Sequence, residues 1–352
     1  MNMKIRYLAS MMMLVGLVIG FGASVQAGQE LAGAGATFPE PFYVKMFDTY
    51  FNQTGNKVNY QGIGSGGGIQ QLLQQTVDFG GTDAFMTPEE MSKAPNNAAI
   101  LHFPTCLGAV VVTYNVEGNP NLKLTPDVIA DIFLGKITKW NDGRIAALNP
   151  DVKLPATAIM VVHRSDGSGT SFVFTEYLSK VSKEWQDKVG TGKAVNWPAG
   201  IGGKGNPGVA QLVKQTIGAI GYVELTYAEQ NKMPYALIRN RSGEFVKASM
   251  QSVSAAANVD MPADTRVSLT DTAAKEGYPI GSFTWVVFYK EQNYKNRDQV
   301  RALELIKLFQ WMVRDGQKFA PQLLYAPLSA ETVKKAEAII KSATYNGQPL
   351  IK

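Results

Sequence analysis

Apolar positions along this chain fall into two kinds of run. Some are short, unbroken and rich in β-branched residues: Ala158-Ile159-Met160-Val161-Val162, the stretch 219–223, and two longer runs, Phe103 to Asn115 and Tyr278 to Lys290. The two long runs are apolar on both faces, which predicts buried strands, whereas Val58-Asn59-Tyr60-Gln61 alternates and predicts a shorter one. Other apolar positions recur at helical spacing. Phe42, Met46, Phe47 and Tyr50 share a face before Gly55; Ile69, Leu72 and Leu73 share another; Phe172, Phe174, Tyr177, Leu178 and Val181 a third. Helices are predicted over 126–134, 171–189, 207–216 and Val300 to Arg314, with a last one opened by Ser329 and carrying Glu331 in its first turn. Strands alternating with helices predict an α/β fold. Segment 242–275 is polar with scattered alanine and predicts no element.

Candidate chemistry gathers where predicted strands turn into predicted helices. In His163-Arg164-Ser165-Asp166-Gly167-Ser168-Gly169-Thr170 a permanently charged guanidinium precedes a turn with the hydroxyls of Ser168 and Thr170 and two glycines. The N–H groups at the following helix start are free to face an anion, and Arg164 offers a planar fork to two oxygens. The same residue types also make an ordinary capped turn. Thr37-Phe38-Pro39 lies at a second helix start, since Pro39 suits the first helical position. Gly62-Ile63-Gly64-Ser65-Gly66-Gly67-Gly68 is a third. It matches the dinucleotide fingerprint GxGxxG, with Asp83 about 20 residues on. Gly203 to Gly208 matches it too, so the pattern discriminates little among 34 glycines. What the junctions share is a glycine turn feeding a helix, which binds anionic groups through backbone N–H. Asp83 itself reads either as an acceptor or as a turn acid.

The first 27 residues change the picture of where the chain works. Lys4 and Arg6, the apolar run Leu8 to Phe21 and the small residues up to Ala27 predict a secretory signal cut after Ala27. The expectation is an exported protein with no lipid anchor, since no cysteine stands at the cut to be lipidated and Cys106 is the only one in the chain. One cysteine allows no internal disulfide, so stability must come from a hydrophobic core. Without Lys4 and Arg6, the formal charge of +5 becomes +3, and no basic run argues for nucleic acid. Only His102 and His163 are present, without HExxH spacing, and there is no GxSxG elbow. Ser168 and His163 are a conceivable nucleophile and base, but adjacent strand residues face opposite ways, so a His163 beside a cleft-facing Arg164 faces the core. A hydrolase is therefore the weaker alternative and an oxyanion binder the stronger.

Seven motifs carry a resemblance: GAGATFP (33–39), NYQGIGSGGG (59–68), DFGGTDA (78–84), LGKITKWND (134–142), HRSDGSGTSFVFT (163–175), NWPAGIGGKGN (196–206) and GAIGYVE (218–224). In this order the chain resembles the periplasmic phosphate-binding proteins of ABC-type phosphate importers over nearly all of residues 28–352. The resemblance implies a two-lobed type II periplasmic-binding fold whose two apolar runs cross between lobes, lobe one being 28–108 with 286–352 and lobe two 109–285. It implies inorganic phosphate as ligand, contacted by Thr37, Phe38, Ser65, Asp83, Arg164, Ser168, Gly169 and Thr170, with Asp166 pairing Arg164 from behind. It also implies a monomer that serves a membrane permease and ATPase complex in the periplasm, with no metal or cofactor. Two departures stand beside the ligands: Gly66 where the family often has a second serine, and His163 where it often has a second arginine. Other oxyanions compete with phosphate for such a site. Sulfate lacks a proton at neutral pH, so a carboxylate acceptor at Asp83 favours phosphate, while arsenate has the same proton inventory.

Overall fold

The computed structural model describes residues 28–351, so the predicted signal at 1–27 lies outside the described residues. Its largest sheet runs in the strand order Lys57–Gly62, Glu30–Gly35, Phe79–Thr82, Ile280–Tyr289, Ile100–Tyr114, Ala219–Glu224, Met160–Arg164, Ile201–Gly203. At one end the first three strands are parallel, and at the other end the last three are parallel. The two strands of the long apolar runs lie between them, antiparallel to each other and buried at every position but the half-buried Leu101, as their two-faced hydrophobicity predicts.

The Ile100–Tyr114 strand joins the two halves by changing partner midway. Residues up to Ala109 pair with Ile280–Tyr289, and Val110 to Tyr114 pair with Ala219–Glu224. The chain returns at the same level, where the Tyr278 hydroxyl donates to the Val110 carbonyl at 3.1 Å. Ile280–Tyr289 then pairs along its length with 100–109, so a division after residue 285 would fall inside that strand.

Each half has its own aromatic core. Phe103 packs 4.9 Å from Phe309, which lies 4.9 Å from Phe288. In the other half Phe174 stacks on Tyr222 at 4.4 Å and Phe133 packs on Phe174 at 4.7 Å. Each of these rings is fully buried and takes a large apolar area out of water, which matters in a chain with no disulfide.

Two local expectations are revised. The predicted 171–189 helix is two helices, Gly169–Val181 and Lys183–Lys188, because Ser182 adopts extended geometry and its hydroxyl accepts from the Trp185 N–H. Segment 242–275 contains a helix, Met250–Ala256, opened by a Ser249/Ser252 capping box, and a short strand, Leu269–Thr270, paired with Ile280–Tyr289. Its alanines fit because that helix lies against the long central strands.

The arrangement dictates where a site can form. The two sets of parallel strands run in opposite directions, so each set ends towards the other half and leads there into helices: Glu40–Thr54, Ser65–Leu73, Gly169–Val181 and Gly205–Gln215. These helix starts meet where the two halves face each other, at the carboxyl ends of the strands.

Candidate functional site

All eight predicted contact residues are buried and converge between the halves. Thr37, Phe38, Ser65 and Asp83 come from one half, Arg164, Ser168, Gly169 and Thr170 from the other. The hydrogen bonds that join them assign a direction to each hydroxyl. A hydroxyl oxygen accepts twice and donates once. Ser65 Oγ accepts from the Asp83 N–H at 3.3 Å and the Gly169 N–H at 3.1 Å. Thr37 Oγ1 accepts from the Asn206 N–H at 3.0 Å and from Asn206 Nδ2 at 2.9 Å. Thr170 Oγ1 accepts from Asn206 Nδ2 at 3.2 Å and from Arg164 Nη1 at 3.5 Å. Ser168, the N-cap of Gly169–Val181, accepts from the Ser171 N–H at 3.0 Å. The oxygens of Ser65, Thr37 and Thr170 are filled as acceptors, and what they retain is a proton to donate; Ser168 keeps its proton and one lone pair. Phe38 contributes main chain: its carbonyl is held by the Tyr325 hydroxyl at 2.6 Å, and its ring lies in the core.

Arg164 is almost wholly buried, with its side chain 1 % exposed. Its Nε and Nη2 donate to the two carboxylate oxygens of Asp166 at 2.8 and 2.5 Å, which fixes the fork and leaves Nη1 on the Thr170 side. Burial works against a charge on Asp166, yet the Arg164 hydrogen bonds and charge, with the Gly205 N–H, hold its carboxyl below the usual range. Across from these donors stands one acceptor. Asp83 Oδ1 accepts from the Thr284 hydroxyl at 2.8 Å, while Oδ2 is buried with no hydrogen-bond partner. Burial pushes the Asp83 carboxyl up to about 7, against the lowering pull of Thr284, Arg164 and Thr170.

Close approach depends on glycine. A Cβ on Gly64, whose φ is +86°, would lie 2.3 Å from Asp166 Oδ2, and one on Gly169 would lie 2.4 Å from Ser65 Oγ and 2.6 Å from Asp83 Oδ2. The Gly66 N–H donates to the Gly167 carbonyl at 2.8 Å, so the two turns touch through backbone alone. A serine side chain at 66 would face that contact, since a Cβ there lies 3.2 Å from the Gly167 Cα.

His163 takes no part. Its ring stacks on Trp197 at 4.9 Å and 9°, on the face away from Arg164, and Nδ1 is 3.0 Å from the Arg164 carbonyl. No group of three or more His, Cys, Asp or Glu side chains among the described residues is placed to hold a metal ion.

Three participants escape the sequence reading. Asn206 ties Thr37 to Thr170 across the halves while its Oδ1 accepts from the Glu224 N–H at 2.9 Å. Its signal was present, as the residue after a glycine turn at the start of Gly205–Gln215. Tyr227 donates to the Thr37 carbonyl at 2.6 Å. Thr284 orients Asp83 from the middle of a strand and carries no local signal.

Residues 22–315 match the model of a PBP superfamily domain. The chain is 45% identical over 314 residues to the phosphate-binding protein PstS of Xylella fastidiosa, covering 88% of this chain and 84% of that one. It is 43% identical over 332 residues to PstS of Pasteurella multocida, covering 93% and 94%. A solved high-affinity periplasmic phosphate-binding protein bound with phosphate shares the fold, with a TM-score of 0.71 at 19% identity over 88% of this chain and 93% of that one.

Proposed function

This chain belongs to the PBP superfamily and, within it, to the PstS phosphate-binding proteins, and from that premise we propose that it captures one inorganic phosphate between its two halves and delivers it to the permease and ATPase of an ABC-type importer. The observation that carries this is the balance of the site. The hydroxyls of Thr37, Ser65 and Thr170 have only protons left to offer, Ser168 adds a fourth proton, one guanidinium faces them, and a single buried carboxylate oxygen lacks a partner. The complement of that set is an oxyanion with at least one proton. Phosphate at neutral pH is such an ion; sulfate is not.

The ligand shell is Thr37, Phe38, Ser65, Asp83, Arg164, Ser168, Gly169 and Thr170, with Asp166 behind Arg164 and no metal. The two halves act as lobes, residues 28–108 with 286–352 against 109–285. Contacts from both sides to one ligand favour the closed arrangement over an open one, so binding closes the cleft. The chain works as a monomer in the periplasm, exported through a cleaved signal and without a lipid anchor. It performs no chemistry on its ligand: the stacked His163 leaves Ser168 without a base.

Calorimetry on residues 28–352 with phosphate, sulfate and arsenate tests the reading. One phosphate per chain is expected, undiminished by a chelator, with negligible sulfate binding and no turnover of a chromogenic phosphomonoester. Sulfate bound as well as phosphate would overturn the proton-acceptor argument, and loss of binding in chelator would overturn the metal-free shell.

A further inference from the structure

One ion pair joins the two halves among the described residues. Lys193 Nζ lies 2.8 Å from both carboxylate oxygens of Glu90. Both ends are anchored before they meet. Glu90 sits in the helix Pro88–Ser92, which follows the strand leading to Asp83, and its Oε2 also accepts from the Thr87 N–H at 2.9 Å in a capping box. Lys193 sits in the loop beside the anion cradle: its carbonyl accepts from the Ser168 N–H at 2.8 Å, and the neighbouring Gly192 N–H donates to Thr175 on Gly169–Val181. The side chains are 13 % and 26 % exposed, so the pair is partly screened from water and neither charge bears the full cost of burial.

On the reading that the halves close around phosphate, we propose that Lys193 and Glu90 form a latch that sets how long the cleft stays shut and therefore how fast bound phosphate is released. The pair stabilises only the closed arrangement. When the halves part, Glu90 keeps its capping bond and Lys193 returns to water, so the interaction differs between the two states and must bias them. Holding Glu90 in the capping box lowers the ordering cost of the pair. Neither side chain belongs to the ligand shell, so the latch tunes retention and leaves recognition alone. Salt screens charges that water can reach, so retention should weaken with ionic strength.

The test uses E90Q, K193Q and the double variant. Glutamine at 90 keeps an oxygen for the Thr87 N–H, and the carbonyl at 193 is unaffected, so the fold is retained. At low salt each single variant should release phosphate about two- to fivefold faster, the range of a partly exposed ion pair, with association changed less than twofold. The double variant should be no faster than either single one, and the wild type should converge on the variants at high salt. Additive effects, or release at the wild-type rate at low salt, would overturn the latch. An interlobe distance measurement without phosphate gives a second arm: E90Q should shift towards the open state, and an unchanged distribution counts against the latch even if phosphate proves not to be the ligand. Failure of the wild type to bind phosphate would instead overturn the proposed function.

Discussion

Gly169→Ala sets the folding of one half against the closure of both. The methyl would stand 2.4 Å from Ser65 Oγ, 2.6 Å from Asp83 Oδ2 and 2.7 Å from the Asp83 N. All three atoms belong to the opposite half, and one is main chain, so no rotamer change clears the overlap. The halves must move apart by roughly an ångström to restore ordinary contact. Ligand groups held by one half then lose those of the other. At about 1.5–3 kcal/mol for each hydrogen bond to a charged group, losing two weakens phosphate binding by about 3–6 kcal/mol, or roughly 10²- to 10⁴-fold. Within its own half the change is benign. Gly169 opens a helix, and alanine there favours the helix by up to about 1 kcal/mol. Calorimetry should therefore show weak or absent binding while the phosphate-free protein melts no earlier than the wild type. Affinity within threefold of the wild type would refute the interlobe cradle, and early melting would assign the loss to folding.

Three further outcomes follow from the same contacts. Arg164→Lys keeps a charge but replaces three separated nitrogens, two on Asp166 and one on the Thr170 side, with a single hydrated ammonium that cannot span them, so phosphate should bind about 1–3 kcal/mol more weakly by titration; wild-type affinity would make Arg164 only a partner of Asp166. Asp83→Asn can turn an N–H to the ligand, so the phosphate-to-sulfate affinity ratio should fall, and an unchanged ratio returns Asp83 to the role of a turn acid. The Asp83 carboxyl, raised from 3.8 to about 7, also makes stability depend on pH. Between those values the folded closed form keeps a proton that the unfolded chain has lost, so the stability present below about pH 4 is lost as pH rises through about 7, on the order of 4 kcal/mol. Urea titrations of the phosphate-free protein at pH 5 and 8 should show the part of this fall that lies between them, about 3 kcal/mol, and its absence in Asp83→Asn; equal falls in both proteins would place the effect elsewhere.

Most of the site was legible because it is local. Thr37, Ser65 and the run from Arg164 to Thr170 each lie within a few residues of a strand-to-helix change, where periodicity shifts and glycines collect. Asn206 occupies the same kind of junction, but its glycine turn repeated a pattern too common in this chain to single out. Thr284 was not legible at all. Its hydroxyl reaches Asp83 only because Trp285 pairs with Thr82, a register set between strands some 200 positions apart. The same distance hides the proton affinity of Asp83, which follows from burial by residues of both halves. The break at Ser182 had a signal, a serine two residues before Glu184, yet the apolar spacing ran past it.

The position of Ile280–Tyr289 bears on how the chain is made. It lies between Phe79–Thr82 and Ile100–Ala109, so those early strands have no neighbour to close their sheet until the last quarter of the polypeptide has been synthesised. The helices Gln299–Val313 and Ala330–Lys341 that cover this half come later still. Pairing across such separations is slow because loop closure precedes the contacts that reward it. The N-terminal half of this sheet is therefore expected to complete its fold only after the C-terminal residues are made.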